Sequence, residues 1–361
     1  MVKETFYKLT GYNSIIDFSA DAKFIIIGGY DGSFKVFDTT QNKICFKTKL
    51  KGSSSDVDVR HQDISFDNKY VAFSALQKVF VIDIAKKEII WEFEHSKAER
   101  TTSSPFCFFH NSSHLVIPNG DNLLIYDVES GLSHSIALPY GAGWTDCIAI
   151  NPNDTNVAYK SCNGTNDIRL DSNGNILSMV GNEDLSDKIF IYNIASGECE
   201  KIINIPYPPI RAMQISISKN MKFVDNETLL ISRKTLGFSY FNIKSGIKTH
   251  FVDWQKKGFD FGRFESAKIY TNGRFVLFNN ATPNPESIVY DSNGIATQYS
   301  VNIPDGLEYI LFDIKEDKII YRQKNGETPM TFHPDSKQFA YIKREYDEND
   351  KRTDYLCIRE I

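Results

Sequence analysis

Short runs of apolar residues alternate with turn-forming residues from the first part of the chain onward. The clearest example holds four apolar runs in succession: Ile15–Phe18, Phe24–Ile27, Phe34–Phe37 and Ile44–Phe46. Each run is rich in β-branched or aromatic residues and too short for a helix, which is typical of a strand. Ser, Asp, Asn and Gly fill the gaps, where they favour tight turns. The pattern predicts one antiparallel sheet of four strands.

The four-run pattern recurs to the end of the chain, at a spacing of about 40 residues that is typical of propeller blades. Further copies start close to Asp63, Pro105, Asp146, Glu227 and Ala267. In the fifth copy, segments 212–218 and 220–225 compete as the first strand. A single sheet cannot cover both of its faces, whereas sheets stacked around an axis cover one another. The repetition therefore predicts an all-β protein, a single β-propeller domain over residues 1–361.

The predicted third strands share an ending, in which an apolar residue is followed by Asp or Asn. The six pairs are Phe37-Asp38, Ile82-Asp83, Tyr126-Asp127, Tyr192-Asn193, Phe241-Asn242 and Tyr290-Asp291. This ending resembles the WD-repeat superfamily, whose blades end their third strand in Trp-Asp. The segment MTFHPDSKQFAYIK from Met330 resembles that family's hairpin between first and second strands. The chain thus resembles a divergent WD-repeat-like β-propeller along nearly its whole length.

The two ends of the chain are expected to meet in the last blade. We expect strand residues 3–9 to complete a blade that also uses 330–332, 338–343 and 355–361, which closes the ring. Seven four-stranded blades are predicted, with eight as the alternative. The alternative arises because residues 307–322 read as another hairpin, either an extra on blade six or the core of a truncated blade.

A polar insertion over residues 161–187 interrupts the fourth unit. Three of its residues resemble a calcium loop, namely Asp171, Asn173 and Asn175. The glycine that such a loop needs at its sixth position is replaced by Ile176. Residues 168–170 and 176–180 are better interpreted as strands of an added hairpin around a Ser-Asn-Gly turn. It is either a projecting hairpin used for contacts or a plain loop, and we expect no metal there.

Charge and hydropathy exclude some classes of partner. The net charge of −5, from 41 basic and 46 acidic residues, argues against non-specific binding to nucleic acid or anionic membranes. No apolar run approaches the roughly 20 residues that a membrane helix needs. The first residues lack the apolar core of a secretory signal. We therefore expect a cytoplasmic protein.

The family resemblance implies a partner-binding face. In such propellers, the connectors between blades share one face with the loops between second and third strands, and partners usually bind there. The connectors of this chain carry Arg60, His61, Arg100, Tyr140, Trp144, Tyr207, Arg211, Arg263 and Phe264. Arg, Trp and Tyr are enriched at interface hot spots, and guanidinium groups suit carboxylate or phosphate groups. A protein partner with an acidic or phosphorylated segment is predicted; alternatively, the arginines only pair with acids in neighbouring loops.

No catalytic, metal-binding or cofactor motif is present in the sequence. Metal or catalytic use of histidine needs convergence on one spot, whereas His110 and His333 occupy the same turn of different blades. We therefore interpret the chain as a non-catalytic interaction scaffold without a cofactor, either a monomer or a subunit of a hetero-complex. The alternatives are a hydrolase- or lactonase-like propeller enzyme with its site at the central channel, and an accessory or sensor subunit.

Overall fold

The computed structural model describes residues 4–52, 57–59, 61–75, 78–94, 105–119, 122–138, 144–162, 167–170, 176–180, 188–205, 221–233, 237–253, 267–270, 274–280, 289–290, 296–298, 308–323, 330–333, 335 and 337–360. Across these residues the regular structure is entirely strand, in seven four-stranded antiparallel sheets and two small hairpins. The sheets are the blades of a propeller ring. The predicted all-β propeller with seven blades is thereby confirmed.

The first strand, β1 (Glu4–Leu9), belongs to the last blade, and the first blade begins after it. Within each of blades one to six the strands run from the innermost to the outermost in chain order. Blade one contains β2 (Asn13–Phe18), β3 (Phe24–Gly29), β4 (Ser33–Asp38) and β5 (Lys43–Lys49). Blade two contains β6 (His61–Ile64), β7 (Tyr70–Ala75), β8 (Lys78–Asp83) and β9 (Glu88–Glu94). Blade three contains β10 (Cys107–Phe108), β11 (His114–Asn119), β12 (Asn122–Asp127) and β13 (Ser133–Ala137).

Blade four carries the first of the two inserted hairpins, between its second and third strands. The blade contains β14 (Trp144–Ile150), β15 (Asn156–Cys162), β18 (Lys188–Asn193) and β19 (Cys199–Asn204). The inserted hairpin pairs β16 (Asp167–Leu170) with β17 (Ile176–Val180). These are the strands that the sequence predicts within 161–187.

Blade five contains β20 (Met221–Phe223), β21 (Thr228–Arg233), β22 (Gly237–Asn242) and β23 (Lys248–Asp253). Segment 220–225 therefore supplies its first strand, and 212–218 lies outside the described residues.

Blade six corrects the assignment made from the sequence. Its strands are β24 (Ala267–Ile269), β25 (Phe275–Asn280), β28 (Glu308–Asp313) and β29 (Lys318–Gln323). The hairpin predicted over 307–322 therefore corresponds to β28 and β29, the third and fourth strands, and is neither an extra on blade six nor the core of a truncated blade. The added hairpin pairs β26 (Val289–Tyr290) with β27 (Ala296–Gln298), so Tyr290-Asp291 does not end the third strand. The reason is burial, because the apolar residues 310–312 of β28 pair with β25 in full register and fill the core.

Blade seven joins the two ends of the chain, as predicted. It contains β30 (Met330–His333), β31 (Gln338–Tyr346), β32 (Arg352–Glu360) and, outermost, β1. The β1 strand pairs with β32 from Glu4 opposite Arg359 to Leu9 opposite Asp354. The ring is thus closed by a strand from the start of the chain.

The apolar core lies between neighbouring blades, because successive side chains of a strand point to opposite faces of its sheet. Each of seven buried clusters joins one blade to the next. Between blades one and two, for example, the rings of Phe34 and Phe73 stack at 4.4 Å. The last cluster packs Leu9 and Leu356 of blade seven against Ile16 and Ile27 of blade one. The core is therefore continuous around the ring.

Antiparallel strands give the ring two distinct faces. The connectors between blades and the turns between second and third strands lie on one side, here called the connector face. The other two kinds of turn lie on the opposite side, here called the turn face. Both inserted hairpins follow a second strand, so they start from the connector face.

Candidate functional site

Most of the predicted partner-binding residues lie outside the described residues, so their grouping stays a prediction. These are Arg60, Arg100, Tyr140, Tyr207, Arg211, Arg263 and Phe264. Trp144 begins β14, which places its backbone at the connector face. His61 begins β6, and its ring packs edge-on against Phe106 at 4.5 Å, with Nε2 2.7 Å from the Phe106 carbonyl oxygen. His61 therefore ties blade two to the segment that enters blade three.

The histidines on the turn face join neighbouring blades. Nε2 of His333 lies 2.8 Å from the carbonyl oxygen of Ala20, which bonds blade seven to blade one. Nε2 of His110 lies 3.2 Å from the carbonyl oxygen of Ile150, which bonds blade three to blade four. The two residues occupy equivalent turns, as the sequence predicts, and both stabilise the contact to the following blade.

A cluster of exposed aromatic residues lies on the connector face where blades seven and one meet. Tyr12 follows the end of β1, Tyr30 lies in the turn between β3 and β4, and Tyr346 ends β31. Their side chains are 55%, 55% and 61% exposed. Arg352 begins β32 directly opposite Tyr346. We call these four residues, Tyr12, Tyr30, Tyr346 and Arg352, the junction patch.

The junction patch is contiguous, although its members come from both ends of the chain. The amide of Tyr30 donates a hydrogen bond to the carbonyl oxygen of Tyr12 at 3.0 Å. The guanidinium of Arg352 lies 5.1 Å from the centre of the Tyr12 ring, within the range of a cation–π contact. Arg352 is the cross-strand neighbour of Tyr346. Arg352 therefore contacts the ring of Tyr12 and lies opposite Tyr346 on the neighbouring strand.

A buried polar network supports the junction patch from below. Asp354 accepts two hydrogen bonds from Arg352, at 2.6 and 2.7 Å, and two from the backbone and side chain of Asn13, at 3.1 and 2.8 Å. Lys35 donates to Oδ1 of Asn13 at 2.8 Å and to Oγ of Ser33 at 3.0 Å. Asp354 and Lys35 are only 1% and 2% exposed. The network joins β32 of blade seven to β2 and β4 of blade one.

The pKa values of the two buried charged groups, Lys35 and Asp354, are shifted by different causes. Burial lowers the pKa of Lys35 to about 8, although the charges of Asp31 and Asp354 oppose the shift. Burial alone would raise the pKa of Asp354, but the hydrogen bonds from Arg352 and Asn13 outweigh it and hold this pKa below its usual value. Asp354 therefore stays ionised near neutral pH and keeps the Arg352 guanidinium in position against the Tyr12 ring.

A glycine is required at position 29, the end of β3, because the backbone of Tyr12 passes close to it. A Cβ at this position would lie well inside contact distance of the Tyr12 carbonyl oxygen. We expect Gly29→Ala to lower the free energy of unfolding by about 1–3 kcal/mol, because the backbone must shift to relieve the overlap. Urea unfolding measures this loss, with the exposed substitution Tyr30→Ser as the control that changes stability by less than about 0.5 kcal/mol. Equal stabilities of Gly29→Ala and wild type would contradict the close approach.

A second cluster of charged groups lies where the innermost strands converge on the axis. Lys222 of blade five interacts electrostatically with Asp63, Asp17 and Cys107, which belong to three other blades. Its ammonium group therefore lies near the centre of the ring. Asp63 accepts hydrogen bonds from the amides of Phe108, at 2.8 Å, and Ile64, at 2.9 Å. Burial raises the pKa of Asp63 to about 6, against the opposing effect of these hydrogen bonds and of Lys222.

The pKa of Asp63 is a measurable consequence of this axial cluster. We expect its carboxyl carbon to titrate with a midpoint of about 6 in a carbon-13 NMR experiment. In a Lys222→Met variant the midpoint should rise, because the removed ammonium stabilises the ionised carboxylate. A midpoint near the ordinary aspartate value of about 3.9, or one that the variant leaves unchanged, would contradict the described geometry.

Within the residues that the structure describes, no three His, Cys, Asp or Glu side chains form a group that could hold a metal ion. The same part of the chain contains no helix that could cross a membrane.

Comparison with known proteins identifies the fold. No protein-family model matches the chain, and no curated protein matches its sequence. The structure is similar to the crystal structure of the β-propeller domain of Cps50 (Swd1) from Myceliophteria thermophila, with a TM-score of 0.61 and 12% identity, over 98% of this chain and 99% of that one. At that identity the similarity shows the fold alone. Together with the seven blades, it shows that the fold of this chain is a β-propeller.

Proposed function

We propose that this WD-repeat-like propeller is a non-catalytic protein-interaction scaffold that binds its partner on the connector face. The observation that carries the proposal is the junction patch, in which three largely exposed tyrosines cluster near an arginine that Asp354 holds from below. Tyr and Arg are the residue types enriched at interface hot spots. Variable loops held by a rigid scaffold are also the usual place for binding residues.

In the described parts of the chain, the turn face lacks a comparable cluster of exposed residues for a partner to bind. The large exposed apolar residues of its turns, Phe66, Leu132 and Ile247, lie singly on blades two, three and five. Single exposed apolar residues are normal on a protein surface, whereas a cluster marks an interaction site. The contrast between the two faces supports binding on the connector face.

The connectors between the other blades are part of the proposed binding surface. The connector arginines Arg60, Arg100, Arg211 and Arg263 would continue the binding surface around the ring and suit an acidic or phosphorylated segment. His61, Tyr140, Trp144, Tyr207 and Phe264 would add aromatic contacts to the same surface. The partner is a protein, and neither nucleic acid nor membrane is proposed. We propose a cytoplasmic location, as a monomer or as a subunit of a hetero-complex.

Affinity capture followed by mass spectrometry tests the proposal. The baits are the wild-type chain, an Arg60→Ala, Arg100→Ala, Arg211→Ala variant, a Tyr30→Ser, Tyr346→Ser variant, and a turn-face control, Phe66→Ser with Leu132→Ser. We expect at least one connector-face variant to lose proteins that the wild type and the control retain. Retention of the same proteins by all four baits would contradict binding on the connector face.

A second candidate is an enzyme with its active site in the central channel. Asp63 favours this candidate, because a carboxyl group with a pKa of about 6 at the axis is suited to proton transfer near neutral pH. The test is hydrolysis of p-nitrophenyl esters and simple lactones by the wild type and by Asp63→Asn. Turnover that Asp63→Asn abolishes would support an enzyme, and turnover absent from both rejects this reaction class.

A further inference from the structure

The junction patch is bordered by a turn that carries mostly negative charge. Between Tyr346 and Arg352 the turn contains Asp347, Glu348 and Asp350, opposed only by Lys351, and its side chains are exposed. Asp347 folds the turn, because its carboxylate accepts hydrogen bonds from the amides of Asn349, at 2.9 Å, and Lys351, at 3.0 Å. The carboxylates of Glu348 and Asp350 contact no hydrogen-bond or ion-pair partner among the described residues. They are therefore available to a partner.

The tyrosine rings supply the second part of the recognition chemistry. Tyr12 already has the Arg352 guanidinium at 5.1 Å, which shows that a cation suits a ring in this patch. Tyr30 and Tyr346 are more than half exposed, and no other ring or cation packs on theirs among the described residues. An aromatic face attracts a cation through its quadrupole, and nearby carboxylates add to that attraction.

Most of the positive charges close to the patch are paired or buried, and Lys351 on the bordering turn is the exposed exception. Arg352 is bound to Asp354 through both oxygens, and Lys49 pairs with Asp31 at 3.0 Å. Lys35 is buried beneath the surface. An acidic or phosphorylated segment would therefore meet neutralised cations and two unpaired carboxylates, which disfavours it at this position. A lysine- or arginine-containing segment would meet aromatic faces and negative charge.

We propose that the junction patch binds a basic, Lys- and Arg-containing segment of the partner protein. The cationic side chains lie against Tyr30 and Tyr346, and Glu348 and Asp350 provide the opposing charge. This inference rests on the proposed scaffold function and assigns one sector of the connector face to a basic segment. The acidic or phosphorylated segment proposed above belongs to the arginine-bearing connectors of the other blades.

Selection from a library of random twelve-residue peptides displayed on phage tests the proposal. The full-length wild type is compared with Tyr30→Ser, Tyr346→Ser and with the turn-face control Phe66→Ser, Leu132→Ser. Peptides retained by the wild type and the control but lost by the tyrosine variant should be enriched in Lys and Arg. Enrichment in Asp, Glu or apolar residues instead would overturn the proposal, as would the absence of any peptide that depends on the tyrosines.

Fluorescence polarisation of the most enriched peptide separates the contribution of the tyrosine rings to binding from that of the Glu348 and Asp350 carboxylates. Tyr30→Ser, Tyr346→Ser should weaken binding about tenfold or more, since each exposed cation–π contact contributes about 0.5–1 kcal/mol and the peptide also loses its packing on the rings. Tyr30→Phe, Tyr346→Phe should bind like the wild type, because the ring faces remain. Glu348→Gln, Asp350→Asn should weaken binding several-fold at low salt and less at high salt. Loss of binding in the phenylalanine variant, or no effect of the glutamine and asparagine substitutions, would overturn the proposed chemistry.

The capture experiment distinguishes this inference from the proposed function. If the arginine variant loses partners while Tyr30→Ser, Tyr346→Ser retains them, the scaffold function stands and the junction patch is not a binding site. If neither variant loses a partner, the scaffold function itself fails.

Discussion

A chain that lacks residues 1–9 should lose most of its resistance to thermal unfolding. Strand β1 supplies the outermost strand of blade seven and pairs with β32 along its whole length. Its Leu9 is 4% exposed and packs in the cluster that joins blades seven and one. Removal of the strand exposes the edge of β32 and opens that cluster. We expect a loss on the order of 5 kcal/mol, a large part of the stability of a typical folded domain.

Circular dichroism during heating measures this effect. The matched control is Phe6→Ser, which keeps the strand and changes only a half-exposed side chain, so its melting temperature should stay close to that of the wild type. A synthetic peptide of residues 1–12 added to the truncated chain should raise the melting temperature in a concentration-dependent manner, because it binds only the folded ring. A truncated chain that melts like the wild type would show that β1 does not close the ring.

The largest effect of a single substitution is expected at Asp354. Its carboxylate is the acceptor for Arg352 and for Asn13, and it is almost fully buried. Asp354→Ala removes the carboxylate to which these donors bond, and with it the countercharge of Arg352. The loss of one partner from a buried ion pair costs about 3–5 kcal/mol, so we expect a decrease of that size in the free energy of unfolding. Urea unfolding provides the measurement, with Glu348→Ala as the control on the neighbouring turn.

The same network predicts a dependence on pH. The pKa of Asp354 is lower in the folded protein than in the unfolded chain, where an aspartate has a pKa of about 3.9. Its stabilising contribution is therefore complete above that unfolded value and is lost as the pH falls through the folded value. The stability difference between the wild type and Asp354→Ala should shrink in acid below pH 4. A difference that stays constant from pH 7 into that acidic range would show that the carboxylate is not ionised in the folded state.

Much of the fold follows from local features of the sequence. Alternating apolar runs and turn residues define the blades, because a strand with one partner sheet on each side must be apolar on both faces. The inserted hairpin of β16 and β17 was predictable in the same way, from two short runs around a Ser-Asn-Gly turn. The pairing of β1 with β32 followed from the need to complete the last blade.

The error in blade six shows where local features are insufficient. Tyr290-Asp291 carries the same ending as the true third strands, although it lies in an added hairpin. The choice between it and Phe312-Asp313 depends on which segment fills the space between blades. Ile310, Leu311 and Phe312 do so with almost no exposure. The space between blades exists only in the assembled ring, so the sequence of one segment does not show which segment fills it.

The junction patch was missed for a related reason. Tyr12 and Tyr346 are far apart in sequence and meet only because the ring closes between blades seven and one. The sequence did contain the information needed to predict the patch. Ring closure, combined with the position of each turn on the connector face, places these tyrosines close together. The buried charges of Lys35 and Asp354 carried no such signal, because a charged residue in a strand normally indicates an exposed position.

Site-specific photo-cross-linking tests most directly whether the connector face binds a partner. The photoreactive residue p-benzoylphenylalanine replaces Tyr30 on the connector face in one protein and Phe66 on the turn face in another. Each protein is irradiated in lysate of the source cells. We expect a discrete cross-linked partner for the replacement at position 30 and none for the replacement at position 66. Cross-linking of the same partner at position 66 only, or equally at both positions, would contradict binding on the connector face.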